Sequence, residues 1–202
     1  RPPRTFAGRS LPSAPMRARR EHRLLVGSTF GAVARGRLGR PIGNPPAALY
    51  QSMMGRTGSD DEQILDAVAR IGRSTSAEDV VQLLGSHWRA RVVGGWYSLF
   101  HDEVAVGPAL LQSLETSQGA LTAPGLVAAA ITMVPDAAPA SARRYLREDL
   151  THGWGSAGLV AAGLERLGAA SVGTEPTDED RDDLLRLVGV ASALRAKRTL
   201  VG

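Results

Sequence analysis

The chain has 202 residues, of which 43% are hydrophobic but only 4% aromatic, which bounds it to one domain with or without a tail and an aliphatic core of Leu, Val and Ala. It has no cysteine, which excludes disulfides, thiolate metal sites and a cysteine nucleophile. The net charge of +4 hides an asymmetry: residues 1–50 hold ten arginines and one acid, Glu21, a net of +9, whereas residues 51–202 hold 14 basic and 19 acidic residues, a net of −5.

Residues 1–55 read as a disordered tail, because Pro, Gly, Arg and Ser recur without an apolar period and cannot offset the entropy of ordering. Within it, Met16-Arg-Ala-Arg-Arg20, the stretch Leu24–Ala34 and its Ala32-Val-Ala34 ending have the outline of a secretory leader. Its middle, Gly27-Ser-Thr29, is weakly apolar, so a tail or an upstream extension is the better reading, with Met16, Met53 and Met54 as alternative starts. Lysine supplies one of the 24 basic residues, Lys197, as in proteins of high-GC bacterial genomes.

From Ser59 the texture becomes helical. Ser59-Asp-Asp-Glu62 forms a capping box before Ile64, Leu65, Val68 and Ile71, with Gly72 as the stop. Ser76-Ala-Glu-Asp79 opens a second helix that runs to Gly85. A third spans about 86–100 with Trp88, Val92, Trp96 and Leu99 on one face, and Pro108 sits at the start of a fourth that carries Leu110, Leu111 and Leu114. Thr122 caps the next, Asp136 and Pro139 open another, and Ser156–Leu167 ends at Gly168. Thr177-Asp-Glu-Asp180 starts the last helix, acidic at its start and basic at its end. Thr116–Pro135 lacks charge, but its continuous apolar part is about 15 residues, short of a membrane span.

One phrase is written three times: Arg91-Val-Val-Gly-Gly-Trp96, Gly125-Leu-Val-Ala-Ala-Ala130 and Gly158-Leu-Val-Ala-Ala-Gly163, at steps of 34 and 33 residues. A period in this range marks stacked helix pairs. The expected fold is all-α: a short HEAT-like solenoid, a right-handed array of antiparallel helix pairs over 56–202, behind the basic tail. Gly95, Ala129 and Ala162 occupy equivalent places and are expected at helix–helix contacts.

Trp88-Arg-Ala-Arg91, Leu110-Leu111, Tyr145-Leu146 and the small-residue helix Ala157–Leu167 resemble a bacterial family known only as a domain of unknown function with HEAT-like helical repeats. The resemblance covers about residues 76–168 and implies helical-repeat architecture without catalysis.

Trp88, Arg89 and Arg91 make the richest polar–aromatic group, suited to phosphate, carboxylate or an unstacked base; alternatively Trp88 and Trp96 are core and the arginines pair with acids of adjacent helices. Arg143 and Arg147 share a helix face with Glu148 and Asp149, as a solvated surface or the rim of an anion site. Trp154, flanked by Gly153 and Gly155, either projects from its loop to bind or closes a gap between repeats. The run His101-Asp102-Glu103 points its side chains in different directions and fits an N-cap better than a metal site. The acids of 178–183 lack calcium-loop spacing. There is no Gly-rich phosphate loop, H-E-x-x-H or G-x-S-x-G motif. The sequence thus favours a cytoplasmic, non-catalytic protein without cofactor or metal that binds another protein as adaptor or inhibitor. The alternative is nucleic-acid association through the arginine-rich tail.

Overall fold

The computed structural model describes residues 51–56 and 60–199. Residues 1–50 of the expected disordered tail, the leader-like stretch among them, and Ser59 of the first capping box lie outside the described residues. The chain is all-helical: α1 Glu62–Ser74, α2 Ala77–Leu84, α3 Trp88–Ser98, α4 Glu103–Glu115, α5 Ala123–Met133, α6 Ala138–His152, α7 Ala157–Arg166 and α8 Asp178–Ala196. Among the described residues there is no strand, and no helix is long and apolar enough to cross a membrane.

Side-chain caps mark the starts of three of these helices. At α2 the Ser76 hydroxyl accepts the Asp79 N–H at 3.1 Å and donates to the Asp79 carboxylate at 2.8 Å. At α8, Thr177 and Asp180 satisfy each other's backbone N–H groups in a full capping box. At α1 the cap is Asp61, whose carboxylate accepts the Gln63 N–H.

Two expected boundaries move. Gly72 lies inside α1, which continues to Ser74: a Cβ on Gly72 would collide with the Phe100 ring, so the glycine serves close packing and not termination. Pro108 lies inside α4, which starts at Glu103. The backbone bond Pro108 cannot donate falls opposite Val104, which is 84% exposed, where water can solvate the released carbonyl.

The helices pair as three hairpins, α2–α3, α4–α5 and α6–α7. The second members, α3, α5 and α7, carry the three copies of the repeated phrase and pack in sequence, α3 on α5 and α5 on α7. The first members form a second row, α2 on α4 and α4 on α6. The small residues of the phrase let the backbones close up: a Cβ on Gly95 would sit 3.0 Å from Leu126, and one on Gly163 would sit 2.9 Å from Val127. Ala129 and Ala162 are buried as expected.

The terminal helices do more than cap the ends. α1 lies against α3, α8 lies against both α5 and α7, and α1 and α8 touch each other. Helix α5 is therefore enclosed, with every residue from Ala123 to Met133 buried except Thr132. The side of α8 turned to α5 and α7 is the expected stripe of Leu184, Leu187, Val188, Ala191 and Leu194.

The packed body also reaches N-terminal of residue 56. Met53 is buried, and its carbonyl accepts the Trp96 indole N–H at 2.7 Å inside the core. The Gly55 N–H donates to the Leu121 carbonyl at 3.0 Å. The Arg56 guanidinium bridges Asp180 at 2.6 Å and Asp183 at 3.2 Å, while its carbonyl accepts from Arg186. Residues 51–56 are thus a strap joining α3, the α4–α5 loop and α8.

Candidate functional site

A surface cleft of about 490 Å³ opens between the C-terminal end of α4 and α6, lined by Glu115, Thr116, Ser117, Gln118, Arg144, Arg147, Glu148 and Trp154. Its α4 wall is held from below by Arg91. The guanidinium donates to the Ser86 carbonyl at 2.8 Å, the Thr116 hydroxyl at 3.0 Å and the Ser113 carbonyl at 3.4 Å. It therefore fastens the last turn of α4 to the α2–α3 loop, meeting carbonyls and a hydroxyl rather than the acids expected of it. Burial pulls the Arg91 pKa down from its ordinary value.

Glu115 bridges the two walls. One carboxylate oxygen accepts the Ser141 hydroxyl and the other accepts Arg144, each at 2.8 Å. The Ser141 hydrogen bond, seconded by Arg144 against some desolvation, holds its carboxyl below the usual range. Each carboxylate oxygen thereby carries one hydrogen bond.

The third wall is the loop after α6. Gly153 and Gly155 have φ of +67° and +91°, a region that disfavours other residues, and between them they turn Trp154 back onto α6. The indole stacks on His152 with ring centroids 5.1 Å apart and meets Tyr145 at 5.7 Å. Asp149, only 1% exposed, locks the loop by accepting the Gly155 N–H at 2.9 Å and the Ser156 N–H at 2.8 Å. Here the side chain of a preceding helix caps α7, whose own Ser156 makes no side-chain cap. Burial pushes the pKa of the Tyr145 phenol beside it up, which disfavours its ionised form.

Of the residues singled out from sequence, the structure brings Arg147 and Trp154 to this cleft, with Arg91 supporting its floor. Arg143 does not line it: its Nε donates to the Ala170 carbonyl at 3.2 Å and ties α6 to the loop beyond α7. Trp88 and Arg89 do not line it either. Trp88 is 37% exposed at the start of α3 with the Arg89 guanidinium 4.7 Å from its ring centroid, so of the pair expected in the core only Trp96 is buried. The residues that sequence reasoning passed over, Glu115, Ser117, Gln118 and Arg144, meet Arg147 only through the packing of α4 on α6. Their one sequence signal is the i, i+3 and i, i+4 spacing of Arg144, Arg147 and Glu148.

The remaining polar groups serve the fold. Asp102 and the His101 carbonyl receive Arg198, and Arg195 donates to the Leu99 and His101 carbonyls at the end of α3. Lys197 pairs with Glu62 and Asp66. Among the described residues, no three His, Asp or Glu side chains are grouped to hold a metal ion. No family model, curated protein or solved structure matches the chain.

Proposed function

We propose that this chain is a non-catalytic helical-repeat protein, a HEAT-like array of three hairpins, that binds another protein through the α4–α6 cleft. The observation that carries the reading is the convergence of Trp154, Arg147 and Arg144 on one surface cleft. Trp and Arg are the residue types that dominate binding hot spots when water is excluded around them. The covering of the α3–α5–α7 row by α1 and α8 supports a binding surface on the other row, since an open array would have used the face these helices now occupy. The resemblance of residues 76–168 to a helical-repeat family without known activity agrees with a binding role.

The test uses the full chain as bait, beside its Arg147→Glu and Trp154→Ala variants. A protein retained at near-equal stoichiometry by the parent and lost from both variants is the expected result. Retention unchanged by both substitutions, but lost on Arg89→Glu, would move the site to the Trp88 surface.

A second reading, nucleic-acid association, is favoured by the +9 charge of residues 1–50 against −5 for the rest. Affinity that falls steeply with salt and survives Trp154→Ala would support it.

A further inference from the structure

We infer that the α4–α6 cleft recognises a carboxylate carried by a short segment of the partner chain, with Arg147 as its primary contact and Trp154 as the apolar wall beside it; this rests on the protein-binding reading above. The argument is an inventory of hydrogen-bonding capacity. On the acceptor side, each oxygen of Glu115 already accepts one hydrogen bond, from Ser141 or from Arg144, and its charge is paired with the Arg144 guanidinium. The exposed Glu148 carboxylate lies 3.8 Å from the His152 ring and is the one acceptor group left open among the acids of the lining.

On the donor side, much is unused. The Arg147 guanidinium has no ion pair or hydrogen bond among the described residues, while Arg144 spends one nitrogen on Glu115. Ser117 is 1% exposed, lines the cleft, and its hydroxyl has no hydrogen-bond partner. An uncommitted guanidinium takes an acceptor-rich group, and its fork matches a carboxylate with two parallel bonds.

Charge selects a carboxylate over a phosphate. Arg144 is balanced by Glu115, and Glu148 follows Arg147 in the chain, so the lining is neutral overall. One negative charge can be accommodated at Arg147, but a dianion would also face the Glu148 carboxylate. The indole next to this point favours an apolar residue adjoining the carboxylate. A cleft of about 490 Å³ is within the range that buries a small ligand or a few residues of peptide.

The test presents the full-length protein, immobilised, with three pools of randomised hexapeptides. One is blocked at both ends with a fixed central glutamate, one is blocked with a central glutamine, and one lacks acidic side chains but has a free C-terminal carboxylate. Retained peptides are sequenced and quantified. The parent should retain one of the carboxylate pools about tenfold over the glutamine pool, with apolar residues enriched beside the charge. Arg147→Gln should abolish the preference, and Arg147→Lys should restore part of it without the bidentate geometry. Which carboxylate pool is retained assigns the source, a side chain or a chain terminus. Equal retention of the glutamine pool, still lost in Trp154→Ala, would overturn the carboxylate and leave a peptide-binding face. Retention of no pool, or a preference that survives Arg147→Gln with an unchanged thermal melt, would overturn the inference outright; the bait experiment would then separately decide whether this face binds protein.

Discussion

At Asp180 one carboxylate closes the α8 capping box, pairs with Arg56 of the strap and packs against Gly158 of α7, where a Cβ would collide with it. Burial works to raise its pKa, but the Thr177 N–H and hydroxyl and the Arg56 guanidinium outweigh it and hold it below the ordinary 3.8. Glu115 is likewise held below its ordinary 4.5 by Ser141 and Arg144. A carboxyl whose folded pKa is depressed adds stability that is complete above its unfolded pKa and is lost as pH falls through the folded value. Stability should therefore fall below about pH 4, and Asp180→Asn should cost about 1–3 kcal/mol at pH 7, a cost that shrinks as the pH falls through the lowered carboxylate pKa. Urea melts across that range check it; a cost independent of pH would show that the carboxylate acts by packing alone. The Thr177 box was legible as a local pattern, whereas the long-range partner Arg56, 124 residues away, had no local signal.

At the scale of elements, helix identities could be read from apolar spacing, and the caps of two helices from Ser76 and Thr177. The exceptions share a cause. Gly72 and Pro108 look like punctuation in isolation, but the Phe100 ring needs the first, and solvent beside Val104 tolerates the second. The strap was invisible because Pro, Gly and Arg dominate the sequence before it, and nothing local marks Met53 as a core residue. A chain beginning at Met54 loses the Met53 side chain and the acceptor for the Trp96 N–H. It should be less stable than one beginning at Gln51 by about 3–5 kcal/mol, measured by chemical denaturation. Equal midpoints would mean that the strap is dispensable.

Helix α5 makes the complementary case, since Ala129 is fully buried where the three copies of the phrase stack. Ala129→Leu should overpack this layer and cost about 1–3 kcal/mol. A thermal melt identical to the parent's would put the repeat alignment in error.

For the molecule as a whole, the 33–34-residue period pointed to helix pairs packed on their neighbours, because each pair leaves an apolar face to cover, and the chain is all-helical with many contacts between helices. The period did not foretell that α1 and α8 fold across the α3–α5–α7 row, which follows from apolar stripes on those two helices that the repeats themselves do not contain. That covering leaves the α4–α6 side, whose cleft is lined by Trp154 and Arg147, as the surface we propose for binding. Two of the eight residues lining that cleft, Arg147 and Trp154, were legible as candidates, and their assembly depended on which helices pack. Hydrogen–deuterium exchange of the full chain, alone and with the protein its bait retains, tests this most directly. The account predicts added protection at residues 115–118 and 144–154, with α8 unchanged. Protection confined to α8 or to the Trp88 end of α3, with the cleft unaltered, would contradict it.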